Sequence, residues 1–216
     1  MSFTLAKTER LAAILSQTPV IPVLTFSDAR SGVETAKALR DGGLTVLEVT
    51  MRTPKALEAL KAIVDEVDGV TVGAGTILEP EHVQQAIESG AAFLVSPGSA
   101  SRLLGAASEA PVPWLPGVST ASEAMQLAER GATFAKFFPA GPAGGPSFLK
   151  ALVSPLPELH FVPTGGIDMS NVRDYLVLRN VACCGGSWVA PQDAVDAGDW
   201  GRIEALAKEA AALKAR

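Results

Sequence analysis

Side chains suited to metal or thiol chemistry are scarce: 216 residues contain two cysteines and two histidines. Cys183 and Cys184 are adjacent. On an extended segment neighbours point to opposite faces, so these two cannot grip one ion, and no bridge between them is expected. Such usage fits a reducing compartment, and the cytoplasm is the expected location. His82 falls in a helical pattern and His160 at a strand start, too few for a three-histidine zinc site. Metal-free chemistry with no bound cofactor is favoured, with a carboxylate-held Mg²⁺ left open. Charge is sparse too. Charged residues make up 19%, the net charge is −5, and no block of five or six like charges occurs. A nucleic-acid partner would need a basic face, and none is visible. An anionic substrate must therefore be held by local groups rather than by a global positive field. No apolar run reaches the length of a membrane span. Lys7, Glu9 and Arg10 interrupt the first 17 residues, so no signal peptide is expected there.

What the sequence has in quantity is apolar surface: 48% of residues are hydrophobic, enough for one large core. Short apolar runs at 20–24, 45–49, 70–73, 92–95, 112–115, 133–138, 160–162 and 181–184 read as eight strands. Helical patterns lie between them, at 31–41, from Pro54 onward, 80–90, 100–109, 121–130, 146–153, 170–178 and 200–214. Strands alternating with helices imply a parallel sheet with right-handed crossovers. Eight such units suit an α/β (β/α)₈ TIM barrel at the small end of its size range, with an open doubly wound sheet as the rival. Residues 8–17 read as an extra N-terminal helix closing the barrel bottom. No linker or composition shift divides the chain, so residues 1–216 are expected to form one domain.

A lysine stands where lysines seldom stand. Of Lys7, Lys37, Lys55, Lys61, Lys136, Lys150, Lys208 and Lys214, only Lys136 lies inside an apolar strand pattern. The strand period puts Phe134, Lys136 and Phe138 on one face. Desolvation among aromatics favours the neutral amine, a nucleophile that forms a Schiff base with carbonyl compounds. Glu48 shares a face with Val46, Thr50 and Arg52 if extension persists, while Leu47 and Val49 face outward. A buried carboxylate must be paired or protonated. Glu48 could carry protons near a Schiff-base carbon, or it could form a purely structural ion pair with Lys136. Arg52 ends its strand, where barrel sites are built, and its fork suits a carboxylate; a plain surface arginine fits the sequence equally.

Two glycine pairs follow the last two strands, Gly165-Gly166 and Gly185-Gly186, flanked by Thr164 and Ser187. Loops after strands 7 and 8 of such barrels often bind phosphate, and glycine lets the backbone approach the oxygens. Helix N-termini beyond these loops would add to the attraction. Ordinary turns also use Gly-Gly. The glycines of 73–76 could bring bare backbone and the Thr76 hydroxyl to the site, and 96–98 could shape its wall. Three functions remain open on the residues alone: Schiff-base catalysis, an isomerase using Lys136 as a general acid, and a non-catalytic phosphosugar-binding module.

Together the motifs resemble the 2-dehydro-3-deoxy-phosphogluconate (KDPG) aldolase/4-hydroxy-2-oxoglutarate aldolase family. They are GLTVLEVTMRT at 43–53, VGAGT at 72–76, SPG at 96–98 and PGVST at 116–120. FAKFFPA at 134–140, PTGGI at 163–167 and GGSW at 185–188 complete the set. The resemblance implies a metal-free class I aldolase on a (β/α)₈ barrel, usually a homotrimer. It implies that Lys136 forms the Schiff base with pyruvate and that Glu48 transfers protons. Arg52 and Thr76 would bind the substrate carboxylate, and Thr164, Gly165, Gly166 and Ser187 the phosphate. The implied reaction is cleavage of KDPG to pyruvate and glyceraldehyde 3-phosphate in the Entner-Doudoroff pathway, with 4-hydroxy-2-oxoglutarate as a possible second substrate. The 141–145 segment keeps a glycine pair but carries no acidic residue.

Overall fold

A computed structural model of the chain describes residues 3–213. It is an α/β fold with parallel strands curled into a TIM-barrel-like arrangement. Helix α1 (Leu5–Leu15) precedes β1 (Val20–Leu24). Then follow α2 (Ala29–Asp41), β2 (Val46–Thr50), α3 (Ala56–Glu66), β3 (Thr71–Gly75), α4 (Pro80–Glu88), β4 (Phe93–Val95) and α5 (Ser101–Glu109). The second half comprises β5 (Trp114–Leu115), β6 (Gly117–Val118), α6 (Ala121–Glu129), β7 (Phe134–Phe137), α7 (Gly145–Leu152) and β8 (His160–Pro163). It ends with α8 (Val172–Leu176), β9 (Cys184–Gly186), α9 (Gln192–Ala197) and α10 (Trp200–Ala211). Six strands pair in the order β5-β4-β3-β2-β1-β9, and three in the order β6-β7-β8. Parallel bridges Phe161↔Val181 and Thr164↔Gly185 join the two groups on one side. On the other side only Pro116 separates β5 from β6.

Strand alternation sorts the side chains into two apolar layers. Leu47 and Val49 join the layer under the helices, while Ile21, Val46, Phe93, Val162 and Cys183 form a separate inner cluster. Helix α1 supplies Leu11, Ile14 and Leu15 to that inner cluster. Eleven residues are too few for a helix to hold itself in water. Three buried side chains at roughly 2 kcal/mol each hold it instead, and the Thr4 hydroxyl accepts from the Lys7 amide to start it. Cys183 and Cys184 do face opposite layers, the first inner and the second outer. Burial pushes the Cys183 thiol up to about 12 and Cys184 well above its ordinary value, so neither is a nucleophile.

The expected boundaries shift where tertiary packing overrides local signals. The fifth expected strand, 112–115, shortens to β5, and a further strand not expected from the sequence, β6, follows Pro116, which has no N–H to continue the ladder. Strand β5 pairs with β4 and β6 with β7. The N-terminal helix starts and ends earlier than 8–17, at its Thr4 cap. Helix α9 had no strong sequence signal. Lys214, the expected end of the last helix, lies outside the described residues.

Candidate active site

Glu48 and Lys136 meet on the inner face. Lys136 Nζ donates to Glu48 Oε1 at 3.0 Å and to Oε2 at 3.2 Å. Their side chains are 4% and 5% exposed, respectively. The register brings Val23 of β1 and Gly73 of β3 alongside Glu48, and Gly117 and Val162 alongside Lys136. Below them lies the apolar inner cluster. Charges in such surroundings persist only when paired, and deleting one partner leaves the other buried alone. Gly75 makes the pairing possible: a Cβ there would overlap the Glu48 carboxylate. Lys136 Nζ also lies 5.7 Å from the Phe138 ring centroid, within cation–π range.

Arg52 is exposed, and strand extension stops before it, since its amide bonds back to the Thr50 carbonyl at 2.8 Å. It does not continue the Val46–Thr50 face. Instead its Nε donates to Thr76 Oγ1 at 3.0 Å. Thr76 is the one non-glycine residue with positive φ among the described residues, at 58°. A β-branched side chain is strained there, and such strain gathers at functional positions. Using Nε for Thr76 leaves the outer nitrogens of the guanidinium available to a carboxylate.

A cleft of about 290 Å³ lies beside this pair and is lined by Arg52, Phe138, Thr164, Gly165, Gly166 and Ser187, together with Thr25. Gly165 and Gly166 have φ of 97° and 74°, so only glycine fits without strain. Asn171 Nδ2 donates to the Gly166 carbonyl at 3.0 Å, and the Gly141 amide donates to the Gly165 carbonyl at 2.9 Å. The 141–145 segment thus buttresses this loop. Thr164 is buried, and its hydroxyl reaches the Val162 carbonyl at 3.5 Å.

Three expectations about loops are corrected. Gly185-Gly186 is not a loop: both residues lie in β9, paired with Ile21 and Pro22. Glycine is needed there because a Cβ would strike the Thr164 hydroxyl or the Trp188 ring. Likewise β3 runs beyond the expected 70–73 to include Gly75, and a Cβ on Gly73 within it would enter the Phe93 ring. No long helix begins directly after 163–167 or 185–188. Helix α8 starts only at Val172, Ser187 opens a turn closed by Ala190 N–H at 3.2 Å, and both α8 and α9 are short. Any anion here is held by loop amides and hydroxyls. Ser96 is structural: its hydroxyl donates to the Gly98 carbonyl at 2.6 Å and accepts from Trp114 Nε1 at 3.0 Å. Sequence reasoning missed Thr25 and the close-approach role of Gly75. Thr25 continues the Ile21, Val23 alternation one step past β1 and was legible in that way. Among the described residues, no group of three or more His, Cys, Asp or Glu side chains is placed to hold a metal ion.

A lysine paired with a carboxylate beside a cleft at the strand C-termini defines a class: α/β enzymes placed to attack a carbonyl through an amine. Within that class the family model "KDPG and KHG aldolase" matches residues 11–206, and the chain belongs to that family. It is 48% identical over 199 residues to a 2-dehydro-3-deoxy-phosphogluconate aldolase of Pseudoalteromonas atlantica, covering 92% of this chain and 93% of that one. It is also 48% identical over 198 residues to the KHG/KDPG aldolase of Escherichia coli K12, with the same coverage. Among solved structures, a KDPG aldolase from Legionella pneumophila, with pyruvate captured as a covalent carbinolamine intermediate, superposes with a TM-score of 0.91. That protein is 39% identical, and the match covers 93% of this chain and 98% of that one.

Proposed function

We propose that this chain is a class I aldolase that cleaves KDPG to pyruvate and glyceraldehyde 3-phosphate through a Schiff base on Lys136. The observation that carries the proposal is the buried Lys136–Glu48 pair, 3.0 Å apart, adjoining a cleft with Arg52 and the 164–166 loop on its walls. Glu48 is positioned to take the ammonium proton. The neutral amine attacks the C2 ketone; Glu48 then gives its proton to the carbinolamine hydroxyl, which leaves as water, so that an iminium forms and Glu48 is again a carboxylate. Glu48 then takes the C4 hydroxyl proton through a water, and the C3–C4 bond breaks. Its electron pair moves toward the iminium nitrogen, giving an enamine and releasing the aldehyde. The nitrogen is the electron sink, so the step draws on no metal. Glu48 returns the proton to C3, and hydrolysis frees pyruvate and the lysine.

In this reading Arg52 and Thr76 hold the C1 carboxylate. Thr164, Gly165, Gly166 and Ser187 hold the phosphate, whose binding orients the reacting carbons from a distance. The E. coli relative's name supports 4-hydroxy-2-oxoglutarate as a second substrate, split to pyruvate and glyoxylate. We read the fold as one domain, a closed (β/α)₈ barrel with α1 as its floor, assembled as a cytoplasmic homotrimer. No helix among the described residues is long and apolar enough to cross a membrane.

Pyruvate plus borohydride is expected to add one reduced pyruvate to the wild-type chain by mass spectrometry; an unchanged mass removes the mechanism. The phosphorylated substrate is expected to show kcat/KM at least about tenfold above an unphosphorylated analogue. Equal values would count against the 164–166 and Ser187 site.

A further inference from the structure

Two threonines beside the Lys136–Glu48 pair form a hydrogen-bonded relay whose direction is fixed. Thr25 stands directly beyond β1 and Thr50 ends β2, and the β1–β2 register, Val23↔Glu48 and Leu24↔Val49, places them side by side. Thr50 is fully buried, whereas Thr25 is half-buried and lines the cleft. Thr50 Oγ1 donates to the Leu24 carbonyl at 2.8 Å. Thr25 Oγ1 and Thr50 Oγ1 are also 2.8 Å apart. A hydroxyl has one proton, and that of Thr50 is committed to Leu24, so Thr25 is the donor in the second contact. Both protons therefore point inward, and Thr25 can turn only lone pairs toward the cleft.

An acceptor-only hydroxyl selects its ligand. It receives a hydrogen bond from a substrate hydroxyl and repels a carboxylate or phosphate oxygen. Its place along the cleft is set by the sheet. Strand β1 lies between β2, which leads to Arg52, and β9, which leads to Ser187. A substrate lying with its carboxylate on Arg52 and its phosphate at Ser187 passes Thr25 between those two ends; of the two hydroxyls it carries there, the one on C4 gives its proton toward Glu48, which leaves the one on C5 for Thr25.

From this we infer that Thr25 is a specificity-determining residue that accepts a hydrogen bond from the C5 hydroxyl of the substrate, the 2-hydroxyl of the departing aldehyde. The inference rests on the aldol reading above. It also orders the two substrates of that reading. 4-Hydroxy-2-oxoglutarate carries a carboxylate at the corresponding carbon, which meets lone pairs with lone pairs.

The test runs the reaction as condensation of pyruvate with glyceraldehyde 3-phosphate or with 3-phosphooxypropanal, the same aldehyde without its 2-hydroxyl. The readout is the ratio of kcat/KM values for the two aldehydes. Thr25→Val is expected to lower that ratio about tenfold relative to wild type by slowing the hydroxylated aldehyde, while Thr25→Ser keeps it. A Thr25→Val ratio within twofold of wild type, with both aldehydes slowed alike or neither, overturns the inference. Borohydride trapping of pyruvate on the wild type separates the two levels. Without a trapped adduct, the aldol reading fails and takes the inference with it; with one and an unchanged ratio, the inference alone fails.

Discussion

With Lys136 replaced by methionine, trapping of pyruvate by borohydride is expected to vanish, and cleavage to fall by roughly 10⁴-fold or more, as when a covalent nucleophile is removed. Methionine is close to lysine in length and packs without charge, so the loss would report the amine rather than a cavity. Stability is expected to fall as well, because Glu48 is 4% exposed and would be left buried without its partner. Breaking one side of a buried pair costs about 3–5 kcal/mol, read as a lower urea midpoint at unchanged slope. Adding Glu48→Leu to Lys136→Met is expected to restore most of that stability without restoring activity, since an apolar pair suits the inner cluster beneath it. A pair that served only to hold the barrel together would give the same stability pattern, yet wild type would then trap no pyruvate. A single variant as stable as wild type would mean that Glu48 finds water or a proton in the folded chain.

How much of this site can be read from the sequence depends on which residues are rare in their setting. Lys136 and Glu48 stand out because charge inside apolar strand runs is costly, so each needs a reason to be there. Their meeting at 3.0 Å follows once both are on the inner face of a curled sheet. The glycines mislead for a physical reason. In a linear sequence Gly75, Gly185 and Gly186 look like turn residues, and Gly73 like the last residue of a strand, because glycine is common in turns. In the fold each is a strand residue whose missing Cβ is filled by a side chain distant in sequence or just beyond it: Phe93, Glu48, Thr164 and Trp188. Only three-dimensional packing reveals which atom occupies that space. Strand β6 hides in the same way, since past Pro116 the chain takes up a new partner rather than ending its extended run at Leu115. Arg52 was foreseen as a strand-end arginine, but its anchoring by Thr76 depends on a left-handed backbone at Thr76 that composition does not announce.

Gly75→Ala is expected to uncouple binding of pyruvate from proton transfer, without touching either charged residue. An alanine Cβ at 75 overlaps the Glu48 carboxylate, with the Glu48 Cγ at 2.6 Å and Cδ at 2.7 Å from it. Rotating the carboxylate about the Cγ–Cδ bond moves neither of those atoms and does not relieve the contact; the whole side chain has to swing. Gly75 pairs with Thr50 in the β2–β3 register, so the backbone has little freedom to retreat. The carboxylate therefore leaves its place 3.0 Å from Lys136 Nζ. Lys136 itself is on β7, in the other group of strands, and its own backbone is untouched by the change. The variant is expected to trap pyruvate with borohydride, while exchanging the pyruvate methyl protons with solvent about 10²- to 10³-fold more slowly, the usual scale for a displaced acid/base group. Glu48→Gln is expected to give the same two readouts by a chemical route instead of a steric one. Gly73→Ala is the informative contrast, because the atoms its Cβ would strike first belong to the Phe93 ring and not to Glu48. It is expected to lower the melting temperature while slowing exchange far less. If exchange in Gly75→Ala stays at the wild-type rate, the proton carrier is a group other than Glu48 at its observed position. If Gly73→Ala and Gly75→Ala slow exchange equally, the effect is general loosening of the inner face rather than displacement of one carboxylate.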